Sequence, residues 1–171
     1  MCDVLAHRGP DDEGMVFLRG DKLFEVKSPF PPYLDESRFE VGLGHRRLSI
    51  IDLSEAAHQP MANKDGSVWI VFNGEIYNFQ EIRVQLEKKE HVFKSRSDTE
   101  VILHAYEEWG VDCLKQFRGM FAFGLWDNNL KRLFLARDRL GEKPLAYSNQ
   151  NSKFAFASEI KALLQIPGIE R

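Results

Sequence analysis

Cysteine is scarce in this 171-residue sequence, which contains only Cys2 and Cys113. Two cysteines are too few for a disulfide framework or for a zinc site built from four thiolates. Long hydrophobic runs are missing as well, since no apolar stretch approaches the roughly 20 residues that span a bilayer. The first residues lead into a polar segment without the apolar core of a signal peptide. We therefore expect a cytoplasmic protein without a membrane partner.

An excess of basic residues is also absent. The sequence carries 23 Lys and Arg against 26 Asp and Glu, which gives a formal net charge of −3. Proteins that bind the phosphate backbone usually carry a strong positive charge, so the composition argues against a nucleic-acid partner. Hydrophobic residues make up 43% and charged residues 29%, as in ordinary globular proteins. The length predicts a single domain over residues 1–171.

The hydrophobic pattern predicts strands separated by turns. Residues 68–72 form a β-branched and aromatic run that suits a strand covered on both faces. Asn73 and Gly74 follow it directly, and this dipeptide is a strong signal for a hairpin turn. Further strands are predicted at residues 15–18, 41–51, 120–126, 133–136, 145–147 and 154–157.

Two capping patterns predict helices in the middle of the chain. Asn78 with Glu81, and Ser97 with Glu100, have the spacing of a capping box. Gly110 is suited to end the second helix. Strand runs on both sides of two amphipathic helices indicate an α+β fold, with antiparallel sheets and helices on their outer faces.

Polar residues interrupt apolar stretches at four places, namely residues 7–11, residues 47–50, residues 73–75 and Asp98. Taken singly, each has an ordinary structural explanation: a turn, an exposed edge strand, a tight hairpin and a helix start. No metal site is predicted, because His45 and His58 lie too far apart in the sequence to suggest one.

A series of longer motifs stands in order along nearly the whole chain. They are LAHRGPD (5–11), GHRRLSIIDL (44–53), QPM (59–61), FNGEIYN (72–78), SDTEV (97–101), GMFAF (119–123), ARDR (136–139), GEKPL (141–145) and SEIK (158–161). In this order they resemble the glutaminase domain of the glutamine-hydrolysing asparagine synthetases. Several long motifs in sequence are far more specific than any one of them.

The resemblance implies a class II glutamine amidotransferase domain with the N-terminal-nucleophile hydrolase fold, a four-layer sandwich of two antiparallel sheets between helical layers. By position in the motifs, Arg47 would bind the carboxylate of free L-glutamine and Asp98 its amino group. Glu75 and the backbone around Leu48 and Ile50 would complete the pocket. A guanidinium fork suits a carboxylate, and a carboxylate accepts hydrogen bonds from an ammonium.

The resemblance also assigns the oxyanion hole to Asn73 and Gly74. The Asn73 amide and the Gly74 N–H would face the oxygen that gains charge when the carboxamide is attacked. The ammonia released would serve asparagine synthesis. We expect the tight turn at this dipeptide to present the N–H.

At the nucleophile, the sequence departs from the pattern of the family. Members of the family attack with a cysteine that becomes the first residue after removal of the initiator Met, and its α-amino group serves as the base. Here Cys2 is followed by Asp3 and lies five positions before His7, where the resemblance implies an apolar strand and a helix in between. We therefore predict that the first strand is missing, that Cys2 is a helix residue, and that this chain alone is inactive.

The synthetase domain of the family is also expected to be a separate domain or subunit. No Gly-rich phosphate-binding loop occurs in the sequence, so ATP and magnesium are expected only with that partner and no cofactor is expected here. Three alternatives stay open: a non-enzymatic glutamine-binding remnant, a non-functional fragment, and another class II amidotransferase acting on a sugar or phosphoribosyl acceptor. The motif at residues 72–78 favours the asparagine branch.

Overall fold

The computed structural model describes residues 1–20, 22–27, 39–47 and 57–170. The first sheet has the strand order β2-β1-β3 and the second the order β4-β5-β6-β7, while β8 and β9 form a third, two-stranded sheet. All described strand pairs are antiparallel. The strands are β1 Asp12–Arg19, β2 Lys22–Lys27, β3 Val41–Arg47, β4 Met61–Ala62, β5 Val68–Ile76, β6 Gly119–Asp127, β7 Arg132–Arg137, β8 Ala146–Gln150 and β9 Lys153–Ala157.

Helices lie before, between and after the strands. They are α1 Phe79–Glu87, α2 Asp98–Trp109 and α3 Ile160–Leu163, with 3₁₀ helices at Asp3–Arg8 and Gly110–Lys115. Cys2 is the N-cap of the first 3₁₀ helix and lies directly before its first residue, Asp3. No helix among the described residues is both long and apolar enough to cross a bilayer.

Strand β5 is buried on both faces, which confirms the prediction for residues 68–72. Ile70 and Phe72 belong to the apolar cluster that α1 and α2 cover, whereas Trp69 and Val71 pack with residues of the first sheet. Alternate residues of a strand point to opposite faces, so β5 contributes to two cores at once. The layers therefore run from the helices α1 and α2 to the second sheet and then to the first sheet.

The α+β architecture agrees with the prediction, and three of the expected four layers lie within the described ranges. On the other side of the molecule, α3 packs on β8 and β9 and also contacts the 3₁₀ helix Asp3–Arg8. Within the described ranges these two short helices do not form a full second helical layer.

The predicted hairpin turn at Asn73 and Gly74 is wrong. Both residues lie within β5, where Asn73 pairs with Ala122 and Gly74 with Phe121 of β6. Continuous pairing with β6 therefore outweighs the local turn preference of this dipeptide. Gly74 is required for a different reason: its φ is +153°, and a Cβ there would collide with the carbonyl oxygen of Met120.

Both predicted ends of α2 are confirmed, but only one of the two hydrogen bonds of the predicted capping box is formed. Ser97 caps α2 by accepting a hydrogen bond from the Thr99 N–H, and Gly110 ends the helix with a φ of 56°. The reciprocal bond from Glu100 is not made, because its carboxylate accepts the backbone N–H groups of Lys94 and Ser95 at 2.7 Å each.

Asn78 occupies the N-cap position of α1, but its side chain does not cap the helix. Its amide instead accepts from the Arg118 N–H and donates to the Gln116 carbonyl, both at 2.9 Å. The side chain thus ties the start of α1 to the segment that leads into β6.

Candidate active site

A cavity of about 1290 Å³ is lined by β3, β5, β6, β9 and the first residues of α2. Six of the residues predicted for the site line this one cavity, namely Cys2, Arg47, Asn73, Gly74, Glu75 and Asp98. Leu48 and Ile50 lie outside the described residues. The fold therefore brings together residues that are spread over most of the sequence.

The edge of β5 that faces away from β6 presents backbone donors to this cavity. The Phe72 N–H donates to Gln59 Oε1 at 2.7 Å, and the Ile76 N–H donates to Asp98 Oδ2 at 3.0 Å. Because alternate N–H groups of a strand point to the same edge, the Gly74 N–H points in the same direction between them. Strand β4 pairs only with Trp69 and Ile70, so it does not cover this position.

Asn73 places a second donor beside Gly74. Strand alternation puts its side chain on the face of Trp69 and Val71, which looks toward the first sheet. Its Nδ2 atom is buried and makes no hydrogen bond to any described residue. A buried polar group without a partner costs about 1–3 kcal/mol, so a ligand oxygen that satisfied it would gain that free energy.

Asp98 is an almost fully buried carboxylate at the start of α2, with 4% of its surface exposed. Burial raises its pKa, although hydrogen bonds from the N–H groups of Ile76 and Thr99 act in the opposite direction. The charged neighbour that affects it is another carboxylate, Glu75, which raises the pKa further. Two neighbouring carboxylates on a cavity wall form a favourable environment for an ammonium group.

Arg47 lies at the end of β3, opposite Asp12 of β1 in the strand register. Its carbonyl accepts the Asp11 N–H at 3.1 Å, which holds the end of the strand. Leu43 of the same strand packs in the core between the two sheets. Since Arg47 follows Leu43 by four positions, it lies on the same face, toward the second sheet.

His45 and Gln59 hold the site together, and the sequence analysis assigned no role to either. His45 Nε2 donates to the Phe72 carbonyl at 2.9 Å, so β3 is joined to β5 next to Asn73. Burial lowers the pKa of His45 to about 4, which keeps the ring neutral at pH 7. Gln59 bridges β5 and α2, since its amide accepts from Phe72 and donates to Thr99 at 3.5 Å. His45 lies in the motif GHRR and Gln59 in the motif QPM. Membership in these motifs is the sequence signal that could have identified both residues.

Cys2 reaches the cavity on the far side of β3. A Cβ on Gly44 would lie 2.6 Å from Cys2 Sγ, and Gly44 faces away from the side that carries Leu43 and His45. Cys2 is 7% exposed, and burial raises the pKa of its thiol. The backbone of β3 therefore stands between Cys2 and Asn73, and the thiol is protonated at neutral pH. This position favours the interpretation that Cys2 is not a nucleophile.

Cys113, the other thiol, lies in the core beneath α2. Burial raises its pKa to about 12, so it is unreactive at neutral pH. The described residues therefore provide no activated cysteine.

Other motifs serve to shape the chain around the cavity. Asp138 accepts the N–H groups of Phe121, Leu140, Glu142 and Lys143. Burial alone would raise its pKa, but these bonds prevail and lower it to about 2.

His7 and Arg8 of the first motif contact Glu159 of the last, both at 2.9 Å. These contacts connect distant segments, and His7 and Arg8 also line the cavity.

Comparisons with known proteins show the family of the chain. A family model described as a glutamine amidotransferase domain matches residues 33–171. A glutamine-hydrolysing asparagine synthetase (number 3) of Bacillus subtilis (strain 168) is 41% identical over 172 residues, which cover 99% of this chain and 25% of that protein. Amidase chry2 of Gibberella zeae is 39% identical, covering 95% of this chain and 21% of its own length. The chain thus spans about a quarter of the length of these relatives.

Solved structures show the same fold. The glutamine phosphoribosylpyrophosphate amidotransferase of B. subtilis, complexed with ADP and GMP, has a TM-score of 0.78 and 25% identity, covering 95% of this chain and 38% of that one. A structure described as the allosteric regulatory enzyme of purine biosynthesis has a TM-score of 0.73 at 24% identity. This likeness confirms the fold class expected from the motifs.

Proposed function

This chain belongs to the glutamine amidotransferase domain family, and on that premise we propose that its cavity binds free L-glutamine and holds the carboxamide for hydrolysis. The reaction consumes water and yields glutamate and ammonia. We assign the ammonia to asparagine synthesis by a separate synthetase domain, because the relatives that match the whole chain include glutamine-hydrolysing asparagine synthetases.

One observation carries the proposal: the donors of Asn73 and Gly74 lie on the same cavity wall as Asp98. Asp98 accepts the Ile76 N–H, and the Gly74 N–H lies two residues earlier on the same strand edge. Two residues of a strand span about 6.8 Å, which is comparable to the reach of an extended glutamine. When the α-amino group of L-glutamine binds Asp98, the carboxamide oxygen of the same molecule therefore lies near the Gly74 N–H.

The roles of the charged groups follow from this placement. Asp98 and Glu75 receive the α-amino group, and Arg47 receives the α-carboxylate with its planar fork of donors. The Gly74 N–H and Asn73 Nδ2 stabilise the negative charge that develops on the carboxamide oxygen, where one such donor is typically worth about 2.7–4 kcal/mol.

The attacking thiol is the part that these residues do not supply. Both cysteines of the sequence are buried with raised pKa values. The cavity volume of about 1290 Å³ exceeds the roughly 300–1,000 Å³ of an ordinary small-molecule site. Strands β3 and β9 both line it, and each has one edge unpaired within the described ranges. We propose that an extended segment with the nucleophilic cysteine belongs in this space.

Calorimetric titration of the chain with L-glutamine tests the binding site. We expect binding to the wild type and a loss of at least about tenfold in Asp98→Asn, since one lost charged contact costs about 1.5–3 kcal/mol. Asparagine removes the negative charge, while its side-chain carbonyl can still accept the hydrogen bond from the Ile76 N–H. The matched control is Asp112→Asn, an exposed carboxylate paired with Lys115. Equal affinity in Asp98→Asn and the control would refute the assigned role of Asp98.

A further inference from the structure

We propose that His91, His104 and Glu107 form a binding site for a first-row divalent cation, with Zn²⁺ the best fit, in the layer of α1 and α2. His91 lies in the segment after α1, whereas His104 and Glu107 lie on α2. Glu107 is nine residues from Asp98 along that helix, a rise of about 13.5 Å. The site is therefore separate from the glutamine cavity and does not depend on the proposed function.

The three ligand atoms have the spacing that such an ion requires. His91 Nδ1 lies 3.1 Å from His104 Nδ1, and Glu107 Oε2 lies 2.8 Å from the second of these nitrogens and 3.8 Å from the first. The circle through three atoms at these distances has a radius of about 1.9 Å. An ion slightly out of their plane would lie about 2.0–2.1 Å from each, the length of Zn–N and Zn–O bonds.

The outer nitrogen of each ring faces a carboxylate. His91 Nε2 lies 3.2 Å from Glu108 Oε2, and His104 Nε2 lies 3.8 Å from Glu100 Oε1. A histidine that ligates a metal usually donates its other N–H to a carboxylate, which directs the lone pair of the inner nitrogen toward the ion. The Nε2–H of His91 has such an acceptor within hydrogen-bond distance, so the Nδ1 lone pair of His91 is directed inward. The Glu100 carboxylate lies beyond that distance from His104 and adds negative charge next to the ring.

The carboxylate ligand is held as well. Asn63 Nδ2 donates to Glu107 Oε1 at 2.9 Å, and this bond leaves Oε2 directed at the two rings. His104 and Glu107 are three residues apart on α2, which places them on the same helix face. His91 and Glu107 therefore each have a second hydrogen-bond partner that fixes their orientation, and His104 is held by its position on the helix.

The electrostatic environment favours a cation. Two imidazole lone pairs cannot face each other at 3.1 Å without a proton or a cation between them. Glu100, Glu107 and Glu108 surround the pair, and the neighbouring Lys89 is engaged by Glu108 Oε1 at 2.6 Å. Glu107 is exposed, so solvent can reach the ion and provide a fourth ligand. Two imidazoles and one carboxylate suit Zn²⁺, Co²⁺ or Ni²⁺ better than Mg²⁺ or Ca²⁺.

The test uses the tag-free chain after dialysis against a chelator. Isothermal titration with ZnCl₂ is expected to show one equivalent bound per chain. CoCl₂ is expected to give the visible absorption of a four-coordinate cobalt site, and ZnCl₂ is expected to displace it. His91→Gln and Glu107→Gln are each expected to weaken zinc binding at least about tenfold and to abolish the cobalt absorption, since even outer partners of a ligand are worth about 10–100-fold.

Two further variants keep the test decisive. Glu108→Gln retains all three ligands but removes the carboxylate behind His91, and we expect it to weaken binding about tenfold. His7→Gln removes a histidine paired with Glu159 and should leave binding unchanged. Circular dichroism verifies that each variant is folded. Absence of cobalt absorption in the wild type, or unchanged zinc affinity in both ligand variants, would show that the cluster shares only protons and would overturn the proposal.

Discussion

At the scale of single residues, Gly74 and His45 both support the wall of the cavity. Gly74 lies close to the backbone of β6, with the Met120 carbonyl in the direction that a side chain would take. His45 is half-buried between the sheets, with Nε2 bonded to Phe72 and a buried Nδ1 atom that has no hydrogen-bond partner among the described residues. Both residues therefore support the cavity wall through the shape and protonation state of a single group.

Replacing Gly74 with alanine should destabilise the chain. The new Cβ would collide with Met120 and Phe121, and the φ of +153° is one that other residues rarely adopt. We expect a loss of about 1–3 kcal/mol in the free energy of unfolding, as for other overpacked sites, measured by urea denaturation. Gly66→Ala is the control, because it also has a positive φ but no atom within 4 Å of a new Cβ. An equal loss in both variants would contradict the collision.

His45 should make stability depend on pH. Burial lowers its pKa to about 4, below the value of about 6.5 expected in the unfolded chain. Between these values the unfolded state binds more protons, so the free energy of unfolding should fall as the pH drops from 6.5 to 4, by up to about 1.4 kcal/mol per pH unit. Urea denaturation at pH 7, 6 and 5 should show a weaker decline in His45→Gln.

The control for this pH series is His7→Gln, which removes an exposed histidine. It should retain the decline of the wild type. If His45→Gln and the wild type lose stability equally between pH 7 and pH 5, burial of a neutral His45 does not contribute to the pH dependence.

At the scale of elements, α2 connects the candidate site to the core. Its apolar face packs on the second sheet, and its first residue, Asp98, holds the edge of β5 through Ile76. Ser97 caps the same end. The position of the Asp98 carboxylate therefore depends on how firmly the first turn of this helix is formed.

Removing the cap should loosen that turn. Ser97→Ala loses the hydroxyl that accepts the Thr99 N–H at 3.1 Å, and such substitutions cost about 0.5–2 kcal/mol. Ser97→Gly should cost only a few tenths of a kcal/mol, since glycine is tolerated at this position. Thermal and urea denaturation of both variants measure the difference. The assigned cap would be ruled out by alanine and glycine variants of equal stability.

At the scale of the whole molecule, the two large sheets and β9 enclose a cavity whose walls carry donors and carboxylates but no activated thiol. Cys2 is separated from Asn73 by the backbone of β3, and Cys113 lies in the core. The wall residues thus suit the proposed binding of an amino acid, and neither cysteine lies beside Asn73.

We expect the 171-residue chain to release no ammonia from L-glutamine above the level of Cys2→Ala. The first reason is that burial raises the pKa of the Cys2 thiol. The second is that this thiol lies next to Gly44, on the face of β3 that points away from Asn73. A coupled glutamate dehydrogenase assay measures the ammonia, with Asp112→Asn as a surface control. Steady turnover that persists in the control but disappears in Cys2→Ala would show that Cys2 is the nucleophile after all.

Much of this architecture is predictable from local sequence. The apolar run at residues 68–72 predicts β5, Ser97 and Gly110 mark both ends of α2, and the ordered motifs predict the family to which the chain belongs. Comparison with known proteins confirms that family. These features can be predicted because each strand, helix end or single motif consists of residues that are close together in the chain. The roles assigned to Arg47, Asn73, Gly74, Glu75 and Asp98 stay predictions, although all of them line one cavity.

Other features depend on pairings between distant segments. Asn73 and Gly74 read locally as a turn, yet they extend β5 because β6 pairs with them from more than 40 residues away. The spacing of Asn78 predicts a helix cap, yet its side-chain amide forms hydrogen bonds with the backbone of Arg118 and Gln116 instead. The approach of His91 to His104 depends on how the segment after α1 folds back onto α2. Local spacing sets the strands and helices, but long-range contacts select the partner of each polar group, because hydrogen bonds and burial depend on distance in space.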